Sequence, residues 1–518
     1  MTPNQYTPEE PISSIATALA PAALGIVRVS GKGCIELVSK VFSRPKALLE
    51  AAGNTLVYGW ILDCPVKPDN DNKVSSPDST AMSSSGLTRG SRIDEVMLAV
   101  YRAPKSFTGE DMVEIFCHGG PAVVMAVQNL MLKSGFRQAN RGEYTFRAFI
   151  NGKTDLTRAE AVKEIIDSHT DVSRSHAAGR LAGALFSEID SIKKLIIDTL
   201  AAIEVEIEYP EDEETIADSF DRSDIELAAN RLQALADSWR GEKLYQDGAR
   251  VVLAGRTNAG KSSLFNAILK EERAIVSDIE GTTRDWLESW ASINGIPVRL
   301  FDTAGLRETS DSIEAQGVEI SRSLVHDADV VLYLVDGTQG MNDEDRQFIE
   351  NCKEPLIVVY TKTDKSGGVT GAEPPLEGVA EDAVETVVEP VETTASTVAG
   401  ARGRLSPPVS KISSKTGAGL SELFTQIYGL LTADLGGSGA GRTTERTQAG
   451  LGSARQKEAV SAALESVRHA LVSADDNYTL DAVVQDLEDA LDSLGEVTGD
   501  VTPDDVLGSI FANFCVGK

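Results

Sequence analysis

One short stretch combines glycines, a lysine and a serine at the spacing that phosphate binding requires. Residues 255–262 fit the pattern G-x-x-x-x-G-K-[ST], after an apolar run at 251–254 and before a helical pattern at 263–269. Glycines let backbone N–H groups approach phosphate oxygens, Lys261 offers a positive charge to the β- and γ-phosphates, and the hydroxyl of Ser262 suits Mg²⁺. A glycine-rich turn without a ligand would not explain both flanking patterns. The stretch therefore predicts a nucleoside triphosphate site.

Two further polar loops follow in the order that a GTP-hydrolysing protein needs. Residues 281–285 read Gly-Thr-Thr-Arg-Asp, and Thr283 can reach both the metal and the γ-phosphate. Residues 302–305 read Asp-Thr-Ala-Gly, so that Asp302 can hold the water shell of the metal while Gly305 lets the backbone approach the γ-phosphate. Each motif alone is also typical of a capped turn. Together, behind the phosphate loop, they predict a Mg²⁺-dependent GTPase.

The base is expected to be chosen by residues 361–364, Thr-Lys-Thr-Asp, after the fourth apolar run. The carboxylate of Asp364 can accept both N–H donors of guanine, which adenine does not present, and such a pocket discriminates by roughly 10⁴-fold or more. The usual motif has asparagine in place of Thr361, so part of the support of the pocket differs. Residues 413–415, Ser-Ser-Lys, resemble the loop that closes over the base. The pattern favours GTP over ATP.

The hydrolytic step is less conventional. Ras-like proteins place a water-orienting glutamine just after the Asp-x-x-Gly loop, where this chain has Leu306. No arginine finger, typically worth ~10³–10⁵ in rate, can be assigned, and the nearby Arg307 is equally well a solvated residue. Either a monovalent cation or a second subunit must supply the missing positive charge.

These loops need a sheet to position them. Four short, nearly continuous apolar runs predict strands buried on both faces of a parallel sheet, at residues 251–254, 298–301, 330–335 and 356–360. Ligands bind at the carboxyl ends of such strands, where the motifs fall. We therefore predict an α/β P-loop domain.

Two other sequence patterns surround this domain. Short strand-type runs at 24–29, 96–101 and 113–117, with a helical stretch at 123–132, predict an α+β domain near the amino terminus. Helical periodicity then takes over and returns near the end of the chain, where residues 502–505 predict a helix start. The apolar stripes comprise Ile189, Ile192, Ile196, Leu200 and Ile203, and then Leu480, Val483, Val484, Leu487, Leu491 and Leu494.

The chain is therefore predicted to be multidomain, with the α/β P-loop domain inserted in an all-α helical domain. Two polar stretches are predicted to be solvated, disordered insertions, at residues 65–92 and 366–408. The predicted division is 1–150 for the α+β domain, 151–248 and 453–518 for the two parts of the helical domain, 249–432 for the inserted domain, and 433–452 for a linker.

Composition limits the classes of function. The chain has 518 residues, 42% of them hydrophobic, and its five scattered cysteines form no C-x-x-C pair, which indicates neither a disulfide framework nor a zinc site. No run approaches the ~18 apolar residues that cross a bilayer, and residues 1–11 resemble no targeting peptide. We expect a cytoplasmic protein without a membrane segment. The net charge of −30 argues against a general RNA-binding surface, so an RNA partner must be met at a restricted site or with a second protein.

The order of the motifs resembles the TrmE/MnmE family of tRNA-modification GTPases, over nearly the whole chain apart from the insertions. The terminal pentapeptide Phe-Cys-Val-Gly-Lys is the most specific part of this resemblance. The matching stretches are residues 24–31, 106–114, 117–120, 147–153, 155–156 and 514–518.

The resemblance implies that the α+β domain is folate-binding-like. It assigns 5,10-methylenetetrahydrofolate, or its analogue 5-formyltetrahydrofolate, to Arg28, Glu114, Lys153 and Lys518. Residue type alone would make Arg28 or Lys153 an ordinary surface charge. Cys515 resembles a cysteine that the family needs for modification, while a cysteine in an apolar helix is more often a packing residue. His118 has no visible partner cluster for a metal and is interpreted as a turn or packing residue.

The resemblance also implies K⁺-stimulated hydrolysis, in which the ion promotes pairing of two P-loop domains and replaces an arginine finger. Its ligands would be Asn258, Ser277, Ile279 and Thr282, and Mg²⁺ would be bound by Ser262 and Thr283. Glu314 matches the glutamate that orients the attacking water in this family, although a glutamate there is equally typical of a helix start. Glu314 and Lys261 are the two predicted catalytic residues. The residues predicted to bind GTP are Asn258, Ala259, Gly260, Lys261, Ser262, Ser263, Ser277, Asp278, Ile279, Glu280, Gly281, Thr282, Thr283, Asp302, Thr303, Ala304, Gly305, Thr361, Lys362, Thr363, Asp364, Ser413, Ser414 and Lys415.

The implied function is GTP-driven attachment of a one-carbon unit at C5 of the wobble uridine of tRNA, by a homodimer working with an FAD-dependent partner protein in a heterotetramer. One alternative is a ribosome-assembly GTPase of the same P-loop class, which would be expected to carry a basic RNA-binding tail. Another is a folate enzyme with a vestigial P-loop domain, which the intact Lys261, Ser262, Thr283 and Asp302 oppose.

Overall fold

The structure is a computed structural model that describes residues 10–63, 91–208, 222–271, 288–302, 323–365, 407–433, 449–475 and 480–517. It divides into two compact units. The first unit comprises residues 1–167, 175–239 and 444–518, and the second comprises residues 168–174 and 240–443. The boundaries given above for the individual domains stay predictions.

The first unit begins with a six-stranded sheet whose order is β3-β4-β5-β2-β1-β6. Neighbouring strands are antiparallel except β1 and β6, which are parallel. Three helices cover one face of the sheet, because apolar residues alternate along the strands and leave one side to be buried. The elements are β1 (Ile12–Ile15), β2 (Leu24–Ser30), α1 (Cys34–Ser39), α2 (Pro45–Leu49), β3 (Thr55–Leu62), β4 (Arg92–Tyr101), β5 (Met112–His118), α3 (Pro121–Lys133) and β6 (Arg137–Gln138).

The predicted α+β domain is confirmed, with one correction at its first insertion. Residues 24–29, 96–101 and 113–117 lie in strands and residues 123–132 in a helix, as predicted. The predicted insertion at 65–92 lies largely outside the described residues, but Arg92 does not belong to it. Arg92 pairs with Leu62 in the β3–β4 ladder, and its guanidinium lies 4.5 Å from the centre of the Trp60 ring.

Helices follow the sheet. In α7 the five isoleucine and leucine positions of the predicted stripe are buried, which confirms the helical periodicity. These elements are α4 (Glu143–Ile150), α5 (Leu156–Asp167), α6 (Asp171–Leu181), α7 (Ala184–Glu208) and α8 (Arg222–Asp247).

The second unit contains the predicted α/β domain, a six-stranded sheet of order β12-β11-β10-β7-β9-β8. All neighbours are parallel except the β8–β9 hairpin. Alternate strand residues face two separate cores, one on each face of the sheet, which explains the continuous apolar runs. The elements are β7 (Ala249–Gly255), α9 (Lys261–Glu271), β8 (Glu288–Ile293), β9 (Ile296–Asp302), β10 (Val330–Asp336), α10 (Asp343–Asn351), β11 (Leu356–Thr361), β12 (Val409–Lys411) and α11 (Leu420–Thr432).

The predicted insertion at 366–408 lies outside the described residues except for its last two. The carbonyl of Pro408 accepts a hydrogen bond of 3.0 Å from the backbone N–H of Val358, so the ordered sheet begins slightly earlier than predicted.

The first unit resumes with α12 (Ala454–Asp475), α13 (Leu480–Thr498) and α14 (Asp504–Ala512). Val483, Leu487 and Leu494 of the second predicted stripe are buried against α7, and α14 begins at the predicted start. Leu451, placed in the linker by its polar surroundings, is instead fully buried in this helical core. Among the described residues, no helix has the length and apolar character needed to span a membrane.

The end of the chain returns to the first sheet domain. Aromatic residues of α14 pack on α4 and α5, with Phe511 contacting Phe146 edge to face at 5.3 Å between ring centres. Val516 then forms a β-bridge with Arg141. This packing fixes where residues 514–517 lie within the first unit.

Candidate nucleotide-binding site

The phosphate loop connects the carboxyl end of β7 to the first turn of α9. Gly255 has φ +132°, and a Cβ there would lie 2.4 Å from the carbonyl oxygen of Leu334. Gly260 has φ +99°, and Asn258 also adopts the left-handed region at +63°. Only glycine fits the first position, because β10 passes directly against it. The loop conformation that the motif predicted is therefore imposed by the sheet.

Lys261 and Ser262 stand at the amino terminus of α9, where helix dipole and free N–H groups favour anions. The buried Lys261 ammonium donates to the carbonyls of Gly255 at 2.7 Å and Arg256 at 2.8 Å. The hydroxyl of Ser262 donates to Oδ2 of Asp302 at 2.7 Å. A hydroxyl and a buried carboxylate side by side are oxygen ligands of the kind that Mg²⁺ prefers.

The base loop, residues 361–364, is tied to the phosphate loop. The hydroxyl of Thr361, 1% exposed, donates to the carbonyl of Ala259 at 2.6 Å. Thr361 therefore supplies a bond between the two loops although it departs from the usual asparagine. On the far side, the hydroxyl of Ser413 donates to Oδ1 of Asp364 at 2.9 Å, which orients the carboxylate expected to meet the base.

Asp336, at the end of β10, is a residue of this site that the sequence did not reveal. Its Oδ2 lies 2.6 Å from the ammonium of Lys362, which also donates to the carbonyl of Asn258 at 2.7 Å. Burial alone would raise the pKa of Asp336, but the hydrogen bonds from Lys362 and Thr338 outweigh it and lower the pKa to about 2. The only sequence signal was an aspartate ending an apolar strand.

The structure thus brings together residues 255–262, Asp302, the base loop and Ser413, all within the second unit. Ser263 follows Ser262 in the first turn of α9, and Ser414 and Lys415 follow Ser413 in the turn after β12. Twelve of the predicted site residues lie outside the described part of the chain: Ser277, Asp278, Ile279, Glu280, Gly281, Thr282, Thr283, Thr303, Ala304, Gly305, Glu314 and Lys518.

A second charged cluster lies in the first unit. Arg28 and Glu114 stand opposite each other on β2 and β5, with Arg28 Nη2 at 2.7 Å and Nε at 2.9 Å from Glu114 Oε1. Arg28 Nη1 donates to the carbonyl of Gly517 at 2.9 Å. Tyr101 donates to the second carboxylate oxygen at 3.3 Å, and burial together with Glu114 raises the pKa of Tyr101. The strand register therefore brings two of the predicted folate ligands together beside the chain end.

Lys153 is linked to this cluster through the loop at residues 104–109. Its ammonium donates to the carbonyl of Pro104 at 3.0 Å, while the Phe107 ring of the same loop lies 5.9 Å from the guanidinium of Arg28. Lys153 also lines a cavity of about 290 Å³, together with Phe149, Gly152, Thr154, Asp155, Arg158, Phe186, Thr498, Gly499 and Asp500.

Two further residues that the sequence analysis singled out, Cys515 and His118, have exposed side chains. Cys515 has an exposed side chain, so the packing alternative is wrong, while its carbonyl accepts a hydrogen bond from the N–H of Gly142. His118 is 67% exposed and its Nδ1 lies 2.7 Å from Asp94 Oδ1, so it is not a packing residue. In the described ranges, no three His, Cys, Asp or Glu side chains are grouped in a way that could hold a metal ion.

A phosphate loop at the carboxyl end of a doubly wound parallel sheet, bonded to an aspartate-bearing base loop, defines the class of protein: a P-loop GTPase. Residues 156–515 match the family described as the MnmE helical domain, and residues 11–153 match the GTP-binding protein TrmE N-terminus. The chain therefore belongs to the MnmE (TrmE) family.

Relatives match over their full length. The chain is 48% identical over 519 residues to the tRNA modification GTPase MnmE of Treponema denticola, covering 99% of both chains. It is 41% identical over 533 residues to the protein of that name in Treponema pallidum, covering all of both chains. It is 37% identical over 514 residues to the protein of that name in Carboxydothermus hydrogenoformans, covering 98% of this chain and all of the relative.

Proposed function

We propose that this GTPase takes part in modifying the wobble uridine of tRNA at C5, adding an aminomethyl or carboxymethylaminomethyl group. The one-carbon unit comes from 5,10-methylenetetrahydrofolate, and an FAD-dependent partner protein completes the reaction. The observation that carries the proposal is the pairing of Arg28 with Glu114 beside Gly517, in a chain whose relatives are named tRNA modification GTPases. The full-length match to them favours this function over ribosome assembly.

In the proposed nucleotide site, the chain positions GTP and neutralises the charge that develops during hydrolysis. The loop N–H groups and Lys261 bind the phosphates, while Asp364 and Ser413 recognise guanine. The predicted GTP-binding residues outside the described ranges complete the site in this proposal. Glu314 orients the attacking water.

Two cations are proposed for this site. Ser262 and Thr283 bind Mg²⁺, with Asp302 holding its water shell, and the adjacent hydroxyl and carboxylate of Ser262 and Asp302 support this assignment. When bound, Mg²⁺ offsets negative charge on the β- and γ-phosphates. K⁺ binds to Asn258, Ser277, Ile279 and Thr282 and takes the place of an arginine finger.

Ser262→Ala is expected to lower Mg²⁺-dependent GTP hydrolysis by about 100-fold, because an oxygen ligand worth several kcal/mol is removed. The measurement is phosphate release as a function of Mg²⁺ concentration. Ser421→Ala is the matched control, since Ser421 is an exposed serine in the first turn of α11. An unchanged Mg²⁺ dependence in Ser262→Ala would contradict the assignment.

The folate donor is proposed to bind to Arg28, Glu114, Lys153 and Lys518. A carboxylate can accept the N–H donors of a pterin, and cations can bind the carboxylates of the glutamate tail. Gly517 contacts Arg28 directly, which supports a role for the chain end in this site. Cys515, exposed at the same end, is the proposed modification cysteine.

Glu114→Gln is expected to weaken binding of 5-formyltetrahydrofolate at least about tenfold, because one ionised acceptor becomes a neutral amide. Calorimetric titration of the full chain measures it. Glu95→Gln is the matched control, since Glu95 on β4 also accepts a tyrosine hydroxyl, that of Tyr58. GTP hydrolysis should be unchanged in both variants. Equal folate affinity of Glu114→Gln and wild type would remove this residue from the site.

The protein is proposed to act in the cytoplasm as a homodimer that forms a heterotetramer with its FAD-dependent partner. Support comes from apolar side chains left open on the first sheet, where Leu56, Tyr58 and Met97 are each more than 40% exposed. Because the net charge is −30, tRNA is proposed to bind at a restricted site on this chain or on basic surface that the partner supplies.

Nucleoside composition of bulk tRNA tests the proposed function. A strain without this chain should lose the C5-modified wobble uridines, and the full chain should restore them. Restoration should fail with Lys261→Ala and with Glu114→Gln. Normal wobble uridines in the deletion strain would overturn the proposal.

A further inference from the structure

Asp336 lies outside the motifs described in the sequence analysis, yet its carboxylate is at the centre of the contacts between β10, the base loop and the phosphate loop. It is the last residue of β10 and is 6% exposed. Its Oδ2 accepts a hydrogen bond of 2.6 Å from Lys362 Nζ, and the same ammonium donates to the carbonyl of Asn258 at 2.7 Å. One cation therefore connects all three segments.

The orientation of this carboxylate is fixed from its other side. Oδ1 accepts from the backbone N–H of Thr338 at 2.9 Å and from the Thr338 hydroxyl at 2.7 Å. Gly337, which lies between Asp336 and Thr338 in the chain, donates its backbone N–H to the carbonyl of Thr361 at 2.9 Å. A Cβ at position 337 would lie only 2.6 Å from that oxygen, so the close approach requires glycine. Both carboxylate oxygens are engaged, so Oδ2 stays aimed at Lys362.

The two residues that meet through the ammonium both have left-handed backbone conformations. Asn258 has φ +63° and Lys362 has φ +59°. Asparagine tolerates this region, whereas a lysine adopts it only where its surroundings hold it. The bond from Lys362 holds the carbonyl of Asn258, and the ion pair with Asp336 holds Lys362. Asn258 is also a proposed ligand of K⁺.

We propose that Asp336 is a positioning residue for nucleotide binding, which holds Lys362 so that the base loop and the phosphate loop keep their relative geometry. The proposal rests on the nucleotide site proposed above. Asp336 touches neither nucleotide nor metal in this scheme and acts only through Lys362. Loss of its charge should loosen both loops, speed the release of bound nucleotide and raise the K⁺ concentration needed for hydrolysis.

The test is the rate of release of a fluorescent GDP analogue from the full chain with Asp336→Asn, which keeps the shape and an Oδ1 acceptor for Thr338. Release is expected to be about tenfold to hundredfold faster, the effect of weakening a hydrogen bond between charged groups. The K⁺ concentration for half-maximal GTP hydrolysis should rise in parallel. A release rate within twofold of wild type would overturn the proposal.

Asp500→Asn is the matched control. Asp500 lies in the first unit and also accepts from a lysine and a threonine, both on its Oδ2, at 2.7 Å from Lys193 Nζ and 2.8 Å from Thr498 Oγ1. Asp500→Asn should leave GDP release unchanged. If it speeds release as much as Asp336→Asn does, general destabilisation is the cause and the proposal fails.

Two further variants separate positioning from folding. In a chain that already carries Lys362→Met, Asp336→Asn should change the rate of GDP release almost no further, since its effect passes through Lys362. Additive effects of the two substitutions would overturn the proposal.

Thr338→Val removes one hydrogen-bond donor to Asp336 at an exposed position. It should speed GDP release by about threefold, less than Asp336→Asn does, because only a single weak hydrogen bond is lost. If Asp336→Asn does not fold, Thr338→Val alone decides the test, and an unchanged rate of GDP release in Thr338→Val would overturn the proposal.

Failure of the wild-type chain to bind GDP would mean that the nucleotide site itself is wrong. That outcome differs from equal rates of GDP release by wild type and variant, which would overturn only the role of Asp336.

Discussion

Lys261→Ala is expected to lower kcat/KM for GTP hydrolysis by about 10³-fold or more. The ammonium of Lys261 is buried at the amino terminus of α9, held by the carbonyls of Gly255 and Arg256 within the phosphate loop. In this position we expect its charge to act on phosphate oxygens in a site of low dielectric, where one preorganised donor is worth about 10²–10³ in rate and a full charge more. Phosphate release under single-turnover conditions with saturating Mg²⁺ gives the comparison.

Lys270→Ala provides the matched control for this loss. Lys270 lies two turns further along α9 and is exposed, so its removal changes the net charge equally without reaching the loop. It should hydrolyse GTP at the wild-type rate. If Lys261→Ala kept kcat/KM within tenfold of wild type, hydrolysis would have to occur elsewhere than at this loop.

Asp364→Asn is expected to change the base that the protein prefers. The carboxylate of Asp364 is proposed to accept both N–H donors of guanine, whereas an amide would place its own NH₂ against one of them. GTP affinity should fall by about 10³-fold or more, as a polar pocket rejects a mismatched base. Xanthine carries a carbonyl where guanine has its amino group, so affinity for xanthosine triphosphate should rise. Competition of the three triphosphates GTP, ATP and xanthosine triphosphate against a fluorescent GDP analogue measures all of these changes.

The control for base choice is Asp343→Asn, a fully exposed aspartate at the start of α10 in the same unit. It should keep the wild-type preference for GTP. A wild-type ranking of the three triphosphates in Asp364→Asn would show that this carboxylate does not contact the base.

Most of the fold could be predicted because the patterns are local. The continuous apolar runs of β7, β9, β10 and β11 follow from burial on two faces, and the stripe of α7 follows from helical periodicity. Arg92 was predicted to lie in an insertion and Leu451 in a linker, and both predictions were wrong because the contacts that order these residues are not local. Each is a single residue in polar surroundings whose partner is distant in sequence, Trp60 for Arg92 and the helical core for Leu451.

The site could be predicted where a short motif determines its own backbone conformation, as in the phosphate loop. The bond from Thr361 to Ala259 and the pairing of Asp336 with Lys362 were not predictable. Both depend on the register of parallel strands, in which Asp336 stands beside Thr361 although 25 residues separate them along the chain. A one-residue change of register would remove these contacts without altering any motif.

Nucleotide binding to the purified full chain tests the central claim most directly. In the presence of Mg²⁺ and K⁺, a fluorescent GDP analogue should bind and be displaced by GTP at concentrations at least about 10³-fold lower than ATP requires. Failure to bind the analogue, or equal displacement by GTP and ATP, would contradict a guanine-specific site built from Lys261 and Asp364.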